Sequence, residues 1–592
     1  MRADAERKVF MGNYNVRQEH PRPDAVRADW INLNGEWDFE IDNALVGMEK
    51  NYATRDSFDG KIIVPFCPES KLSGVEHKDF MNAVWYRRDI ELPKSWQGKK
   101  VLLHIDACDY ETTAFVNGKK VGDHKGGYTP FTFEITSALK EENNYITVYA
   151  RDDTRSPKQV SGKQSPRLNS YGCMYTRTTG IWQTVWLEAV DAAHIERYEA
   201  IADVENTTVI LSAETSEKAF GATLKATVYF EGREVGLGET KILDRRSTLA
   251  VKLSEKHLWD LGQGNLYDVA FEIVKDGEVK DTLKGYFGLR DVRITREGFY
   301  LNGRRVFGRF VLDQGFYPDG IYTAPSDEAL IFDIEASMKL GFNGARLHQK
   351  VFEPRFLYHA DRLGYMVFDE TGNWGLDHTD PMSIYHFLPE WIEEVRRDMS
   401  HPSVIGWCPF NETWDRDGRR QSNDFINMIF EVTRAIDPTR PIVTNSGSYP
   451  CKSDVHDVHD YEQDPEKFRE YYSHIGEGLV KCQIFRGQPN RMSYDPTKPV
   501  FVSEYGGIKW VIGEDPAAWG YGVSVKSEEE FLARLKGLTD VLLENKDIFA
   551  YCYTQLTDVE QEQNGLLTYE RKFKFPPETI SAILAKKSVL ED

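Results

Sequence analysis

From about residue 300 onward, short runs of uninterrupted apolar residues alternate with helical patterns. This alternation constrains the fold more than any other feature. A helical pattern spans Asp327 to Leu340, and apolar runs occur at Gly364–Asp369 and Arg440–Thr444. A strand that is apolar on both faces belongs in a parallel sheet covered by helices. Sustained strand–helix alternation over residues 291–592 predicts one (β/α)8 TIM barrel. Two further apolar runs end in glutamate: Ser403-Val404-Ile405-Gly406-Trp407-Cys408-Pro409-Phe410-Asn411-Glu412 and Pro499-Val500-Phe501-Val502-Ser503-Glu504. The carboxyl ends of barrel strands are where such folds place their chemistry. Two carboxylates converging there are what cleavage of a glycosidic bond requires.

The preceding residues read as β-structure. Residues 1–190 carry short aromatic and β-branched runs broken by Gly, Asn and Pro, including Val101–Ile105, Trp85–Ile90, Tyr145–Tyr149 and Thr184–Leu187. Asn117-Gly118, between Thr113–Val116 and Lys119–Val121, is a hairpin signal. An antiparallel jelly-roll β-sandwich is expected here. Residues 191–290 alternate polar and apolar, as in Thr207–Ser212 and Leu224–Phe230, and predict a smaller immunoglobulin-like β-sandwich. The chain is thus multidomain, β followed by α/β.

A formal net charge of −21 excludes a basic nucleic-acid footprint and disfavours anionic membrane. No run reaches membrane-spanning length. Met1–Lys8 lacks an apolar leader core, and the seven cysteines form no Cys-x-x-Cys pair. Reduced thiols in a cytoplasmic protein are the expectation. His456 and His459, three apart on a strand, point to opposite faces, so no metal site and no cofactor is read.

Several motifs occur in a fixed order: Leu33–Phe39, Trp85-Tyr86-Arg87-Arg88, Gly126–Phe131, Thr179–Gln183, Gly341–Arg346, His401–Val404 and the two glutamate stretches. In this the chain resembles glycoside hydrolase family 2, which holds β-galactosidases, β-glucuronidases and β-mannosidases. The resemblance implies that Glu412, after Asn411, is the acid/base and that Glu504 is the nucleophile of a retaining mechanism. The two carboxyls are then expected about 5–5.5 Å apart. It implies that Arg346 bonds the nucleophile and keeps it ionised, that Asn411 binds the sugar 2-hydroxyl, that Tyr461 contacts the nucleophile and that His459 faces the sugar. It matches Asp369-Glu370 to an acidic pair that binds sugar or braces the site.

Trp374 and Trp510 follow strands and are candidate stacking platforms for a sugar face, ahead of Trp407 and Trp414. Asp313, Gln314, Gln349, Gln555 and Asp558, with Glu560, are candidate hydroxyl ligands. The sugar-reading segments depart from the family pattern at Arg309–Gly315 and His348-Gln349-Lys350. Glu562-Gln563-Asn564 stands where β-glucuronidases carry the Asn-x-Lys that pairs with a uronate, and an acid there repels one. The leading expectation is an exo-acting retaining glycosidase on a neutral sugar, β-galactoside by default. Galactofuranosidase, arabinosidase and β-glucuronidase are alternatives on the same scaffold, and a non-catalytic carbohydrate-binding protein is the alternative from another class. The expected partner is an oligosaccharide or glycoside, and the resemblance implies a homo-oligomer.

Overall fold

The computed structural model describes residues 16–475, 491, 493–513 and 515–591. The leader reading at Met1–Lys8 lies outside them. The first sandwich packs a six-stranded antiparallel sheet on a four-stranded one. Its core interleaves Trp37, Phe39, Val84 and Tyr86 of one sheet with Leu103, Ile105, Val185 and Leu187 of the other. The hairpin at Asn117-Gly118 joins Glu111–Val116 to Lys119–Lys125. Both turn residues have positive φ, 53° and 77°, the combination for which Asn-Gly is selected.

A second sandwich follows, with three-stranded and four-stranded sheets between Ile195 and Phe287. Strand Arg246–Lys252 alternates exposed and buried residues without a break, as a strand with one solvated face must.

The barrel strands are β1 Gly308–Asp313, β2 Gly344–Leu347, β3 Met366–Glu370, β4 Val404–Cys408, β5 Asn445–Ser446, β6 His456–Asp460, β7 Val500–Gly506 and β8 Ile548–Thr554. They form a parallel ladder in the order β4-β3-β2-β1-β8-β7-β6. Every residue of β1, β2, β3, β4, β7 and β8 is buried, in keeping with their continuous apolar character. Pro409 has no N–H to give a ladder and interrupts β4. The strand resumes at Phe410–Asn411, which pairs with β5. The run Arg440–Thr444 departs from expectation. Its backbone joins β4 through Val443 N to Trp407 O (2.8 Å) and Trp407 N to Pro441 O (3.0 Å), Arg440 Nε adds a bond to Val404 O (2.6 Å), and regular pairing begins at Asn445. Side-chain bonds then carry the closure from β5 to β6, where Ser446 Oγ lies 2.9 Å from His459 Nε2.

The outer layer includes α1 Asp327–Lys339, α2 Pro354–Leu363, α3 Ile384–Asp398, α4 Asn423–Ile436, α5 Pro465–Ser473, α6 Glu528–Leu543 and α7 Pro577–Leu584. The first sandwich is fused to the barrel. Its Tyr128, Val160, Tyr175 and Trp182 belong to the barrel's own hydrophobic cluster. Tyr128 N donates to Glu390 Oε1 of α3 at 2.6 Å.

Candidate active site

Glu412 and Glu504 meet at the carboxyl end of the barrel. Glu412 follows the resumed β4 with φ at 46°, a left-handed conformation that non-glycine residues rarely adopt outside functional or turn positions. Its N–H donates to Ser446 O at 2.8 Å, which fixes that conformation against β5. Against β6, strand β7 carries Ser503 as an extra residue, so that Val458 pairs with Val502 but His459 with Glu504. Such a bulge re-aims side chains. Here it presents Glu504 to the mouth opposite His459. His459 Nδ1 stands 2.8 Å from Glu412 Oε1 and 3.4 Å from Glu504 Oε2. One oxygen of each carboxylate and one imidazole nitrogen all lie within 4.8 Å of one another.

Arg346, at 1% exposure, organises the floor. It donates to Glu504 Oε1 (3.1 Å), Ser503 O (2.8 Å), Glu370 Oε2 (2.7 Å) and Asn411 Oδ1 (2.8 Å). Asn411 therefore keeps its Nδ2 donor free of protein partners among the described residues. The Tyr461 hydroxyl donates to Glu504 Oε2, and its ring stacks on Tyr521 at 3.4 Å. Burial alone would push the Glu504 carboxyl up. His459, Arg346 and His348, with the Tyr461 hydroxyl, overcome it and hold the group down at about 2. Burial likewise opposes ionisation of Glu370, and Arg346 and His348 bring it to about 2. For His459 burial disfavours the cation, but Glu504 and Glu412 raise its pKa above the ordinary value. The site thus fixes an ionised carboxylate beside a second carboxyl with an imidazole between them. The same trio offers three donor atoms for a metal ion, but Arg346 and Tyr461 already occupy both Glu504 oxygens.

Around this centre, Asn373 ties three loops together. Its Oδ1 accepts from Asn411 N (2.9 Å) and Gln349 Nε2 (2.6 Å), and its Nδ2 donates to Asn411 O (3.0 Å). Gln349 Oε1 accepts from Trp374 N, and Trp374 Nε1 donates to Asn411 O at 3.0 Å. Gln349 and Trp374 therefore sit beside the acid/base candidate. Gln314 Nε2 donates to Gln555 Oε1 at 2.7 Å across the ends of β1 and β8. Gln555 follows Thr554, whose hydroxyl lies 3.2 Å from that of Tyr461.

Six of the candidate residues stand elsewhere. Asp369 is wholly buried on the opposite face of β3 from Glu370, where its charged neighbours are Asp398, Arg397 and Glu394 of α3. Strand alternation sends only one of two adjacent residues inward. The Trp510 ring, partly buried, packs against the edge of the core, 6.0 Å from Phe575 and 6.4 Å from Phe531. Asp558 pairs with Lys574 at 2.7 Å. Asp313 accepts from Gly315 N at 2.9 Å, and burial and Asp333 push its carboxyl up to about 7. Trp407 is core, its Nε1 donating to Asp437 at 2.9 Å. Glu560 lines a separate cavity of about 690 Å³ with Glu69, Tyr171, Asp515 and Tyr569, away from the catalytic pair.

Three contributors escaped the sequence reading: Asn373, Ser446 and Lys163. Lys163 comes from the first sandwich and faces the mouth beside Trp374. Asn373 lies one residue before Trp374 in a loop after β3, a position that could have signalled it. Nothing in sequence marks Lys163.

A barrel bearing such a carboxylate pair behind two β-sandwiches is the architecture of a multidomain glycoside hydrolase. The chain belongs to family 2 of the glycosyl hydrolases: it matches the family's sugar binding domain over residues 31–189, its central domain over 193–290 and its TIM barrel domain over 292–511. It is 26% identical over 438 residues to a β-galactosidase of Thermoanaerobacter pseudethanolicus, covering 70% of this chain but only 55% of that protein. It is 23% identical over 513 residues to a β-glucuronidase of Streptococcus agalactiae, covering 80% of this chain and 82% of that one. A β-glucuronidase from Ruminococcus gnavus, solved with an N1-substituted uronic isofagomine, shares the fold with a TM-score of 0.78 at 18% identity, over 96% of this chain and 100% of that one.

Proposed function

We propose that this protein is an exo-acting, retaining β-glycosidase that removes a terminal neutral sugar, a β-galactoside before others. The observation that carries the reading is the approach of Glu412 and Glu504, with an oxygen of each within 4.8 Å. Retaining enzymes hold their carboxyls about 5–5.5 Å apart, whereas inverting ones leave roughly 6.5–9.5 Å for a water. Glu504, held ionised, attacks the anomeric carbon while Glu412 gives its proton to the departing glycosidic oxygen. A covalent glycosyl-Glu504 ester forms and the alcohol leaves. Water, deprotonated by Glu412, then attacks the same carbon, releasing the sugar with its configuration kept and restoring both carboxyls. Arg346 and Tyr461 receive the Glu504 charge back at the end of each turnover.

The neutral-sugar reading draws on Glu562, a buried acid with Lys163 and Glu504 among its charged neighbours, which opposes a uronate. The β-glucuronidase relatives favour the uronide as the second reading. Exo action draws on the first-sandwich loop that lies across the barrel mouth, with Ser161 N bonded to Trp374 O at 2.7 Å. Among the described residues Cys67, Cys108, Cys173, Cys408, Cys451 and Cys552 are free, which accords with a cytoplasmic setting. No helix of the described residues is long and apolar enough to cross a membrane.

The test is a panel of nitrophenyl pyranosides and furanosides, glucuronide included, followed by trapping with the 2-fluoro analogue of the best substrate. The expected result is one covalent sugar on the peptide holding Glu504, and a Glu504→Gln protein that folds normally but is slower by about 10³-fold or more. Labelling at another residue, or an anomerically inverted first product, refutes the mechanism.

A further inference from the structure

The cations at the barrel mouth differ in what they hold. Arg346 spends its guanidinium on Glu370, Glu504, Asn411 and a carbonyl. Lys163 is only 5% exposed, yet its Nζ donates to no protein atom among the described residues. It stands 5.3 Å from the Trp374 ring and 5.9 Å from that of Tyr175, within cation–π range. Its charged neighbours are Glu562, Glu504 and Glu412, and its own field reaches His348.

The backbone is built to deliver this side chain. Gly162 has φ at +53°, and a Cβ there would lie 2.2 Å from Gln349 O, so only glycine lets the loop seat this closely on the barrel. Gly162 N bonds Gly372 O at 3.3 Å, and Lys163 O accepts from Tyr175 N at 2.8 Å.

Glu562 is the complement. It is 1% exposed, accepts from the Tyr175 hydroxyl and takes Asn564 Nδ2 at 3.1 Å. Lys163 and Glu562 are each other's leading charged neighbour, yet no ion pair closes between them within 4.0 Å. A buried ammonium and a buried carboxyl that do not pair, both set against Tyr175, offer one donor and one acceptor to a ligand that reaches both. A hydroxyl pair satisfies both at once, since each hydroxyl can accept from the ammonium and donate to the carboxylate. A carboxylate ligand would satisfy the ammonium and be repelled by Glu562.

We propose that Lys163 and Glu562 together read vicinal hydroxyls of the neutral glycone, so that the first sandwich supplies a specificity determinant of the barrel's active site. This rests on the neutral-glycoside reading above and deepens it. The test measures kcat/KM of wild type, Lys163→Met and Glu562→Gln on the best neutral aryl glycoside and on its 3-deoxy and 4-deoxy glycones, with melting temperatures alongside. Each variant should lose about 10- to 100-fold on the parent sugar, the loss expected for a hydrogen bond to a charged group. On the deoxy glycone lacking the hydroxyl that is read, variant and wild type should converge, because the contact is already gone. Equal losses on parent and both deoxy sugars indicate a structural role and overturn the proposal. Should Lys163→Met fail to fold, Lys163→Arg and Glu562→Gln carry the comparison. If wild type cleaves neutral glycosides and the variants match it, this proposal alone fails. If wild type cleaves only the uronide, the functional reading fails with it.

Discussion

Replacing Arg346 with methionine tests the electrostatic design of the site most directly. The guanidinium holds two buried carboxylates, Glu370 and Glu504, and orients Asn411. Keeping Glu504 at about 2 rather than its ordinary 4.5 corresponds to about 3 kcal/mol in favour of the ionised form, at 1.36 kcal/mol per pH unit. His459 is the largest single opponent of burial, followed by Arg346 and His348. A cation beside a carboxyl lowers its pKa by about 1–3 units, so losing Arg346 should raise the acid limb of kcat/KM by about one pH unit. The sign follows from linkage. A carboxyl whose native pKa lies below its unfolded one stabilises the fold above about pH 4.5 and ceases to as pH falls toward 2. Removing its partner therefore costs stability at neutral pH, about 3–5 kcal/mol for a broken buried pair. Misplacement of Glu504 and Asn411 should add a loss of about 10²-fold or more in kcat/KM at pH 7. Rate profiles between pH 3.5 and 8 with an aryl glycoside, and denaturant unfolding at pH 5 and 7, read all three effects. An acid limb that stays in place while stability falls would show that Arg346 only props the barrel, and the argument for its electrostatic role would be lost.

Two other substitutions separate chemistry from scaffold. Glu412→Ala should slow glycosides with poor leaving groups by far more than activated aryl glycosides, since only the former need a proton on the departing oxygen. A flat dependence of the loss on leaving-group pKa would remove Glu412 from the acid role. Asp369→Asn should leave KM and kcat within about twofold, because the side chain faces α3 rather than the sugar. Burial, then Asp398, raise the Asp369 pKa well above its ordinary value, so its carboxyl costs stability increasingly as pH rises. The variant should therefore melt higher than wild type at pH 8 and gain less at pH 5, and a lower melting temperature at pH 8 would contradict this account.

The parts of the fold that were legible in the sequence are those written in local pattern. Asn117-Gly118 states its turn by the φ values it tolerates. The helical pattern from Asp327 became α1 almost residue for residue, and wholly apolar runs became strands covered on both sides. The strand at Arg440–Thr444 blurred because Pro441 removes a donor and the pairing there depends on β4. Within the site, Glu412 and Glu504 were legible because each ends an apolar run inside a motif. What no local pattern could show is which rings and charges from distant segments close around them. Trp510 looked like a platform until Phe531 and Phe575 claimed its ring.

Asp369 and Lys163 mark the two ways such reading fails, and they fail for different physical reasons. Adjacent residues on a strand alternate faces, so of Asp369 and Glu370 only one could reach Arg346. Glu370 is the last residue of β3, level with Cys408 on β4, and it takes the guanidinium. That error was avoidable from periodicity alone. Lys163 was not, because its place depends on a glycine that lets one domain press onto another and on a tyrosine that shields the facing glutamate. The proposed catalytic pair is thus set by the barrel strands themselves. The proposed Lys163–Glu562 pair is assembled across a domain boundary, so substitutions there are expected to change the preferred glycone without moving Glu412 and Glu504.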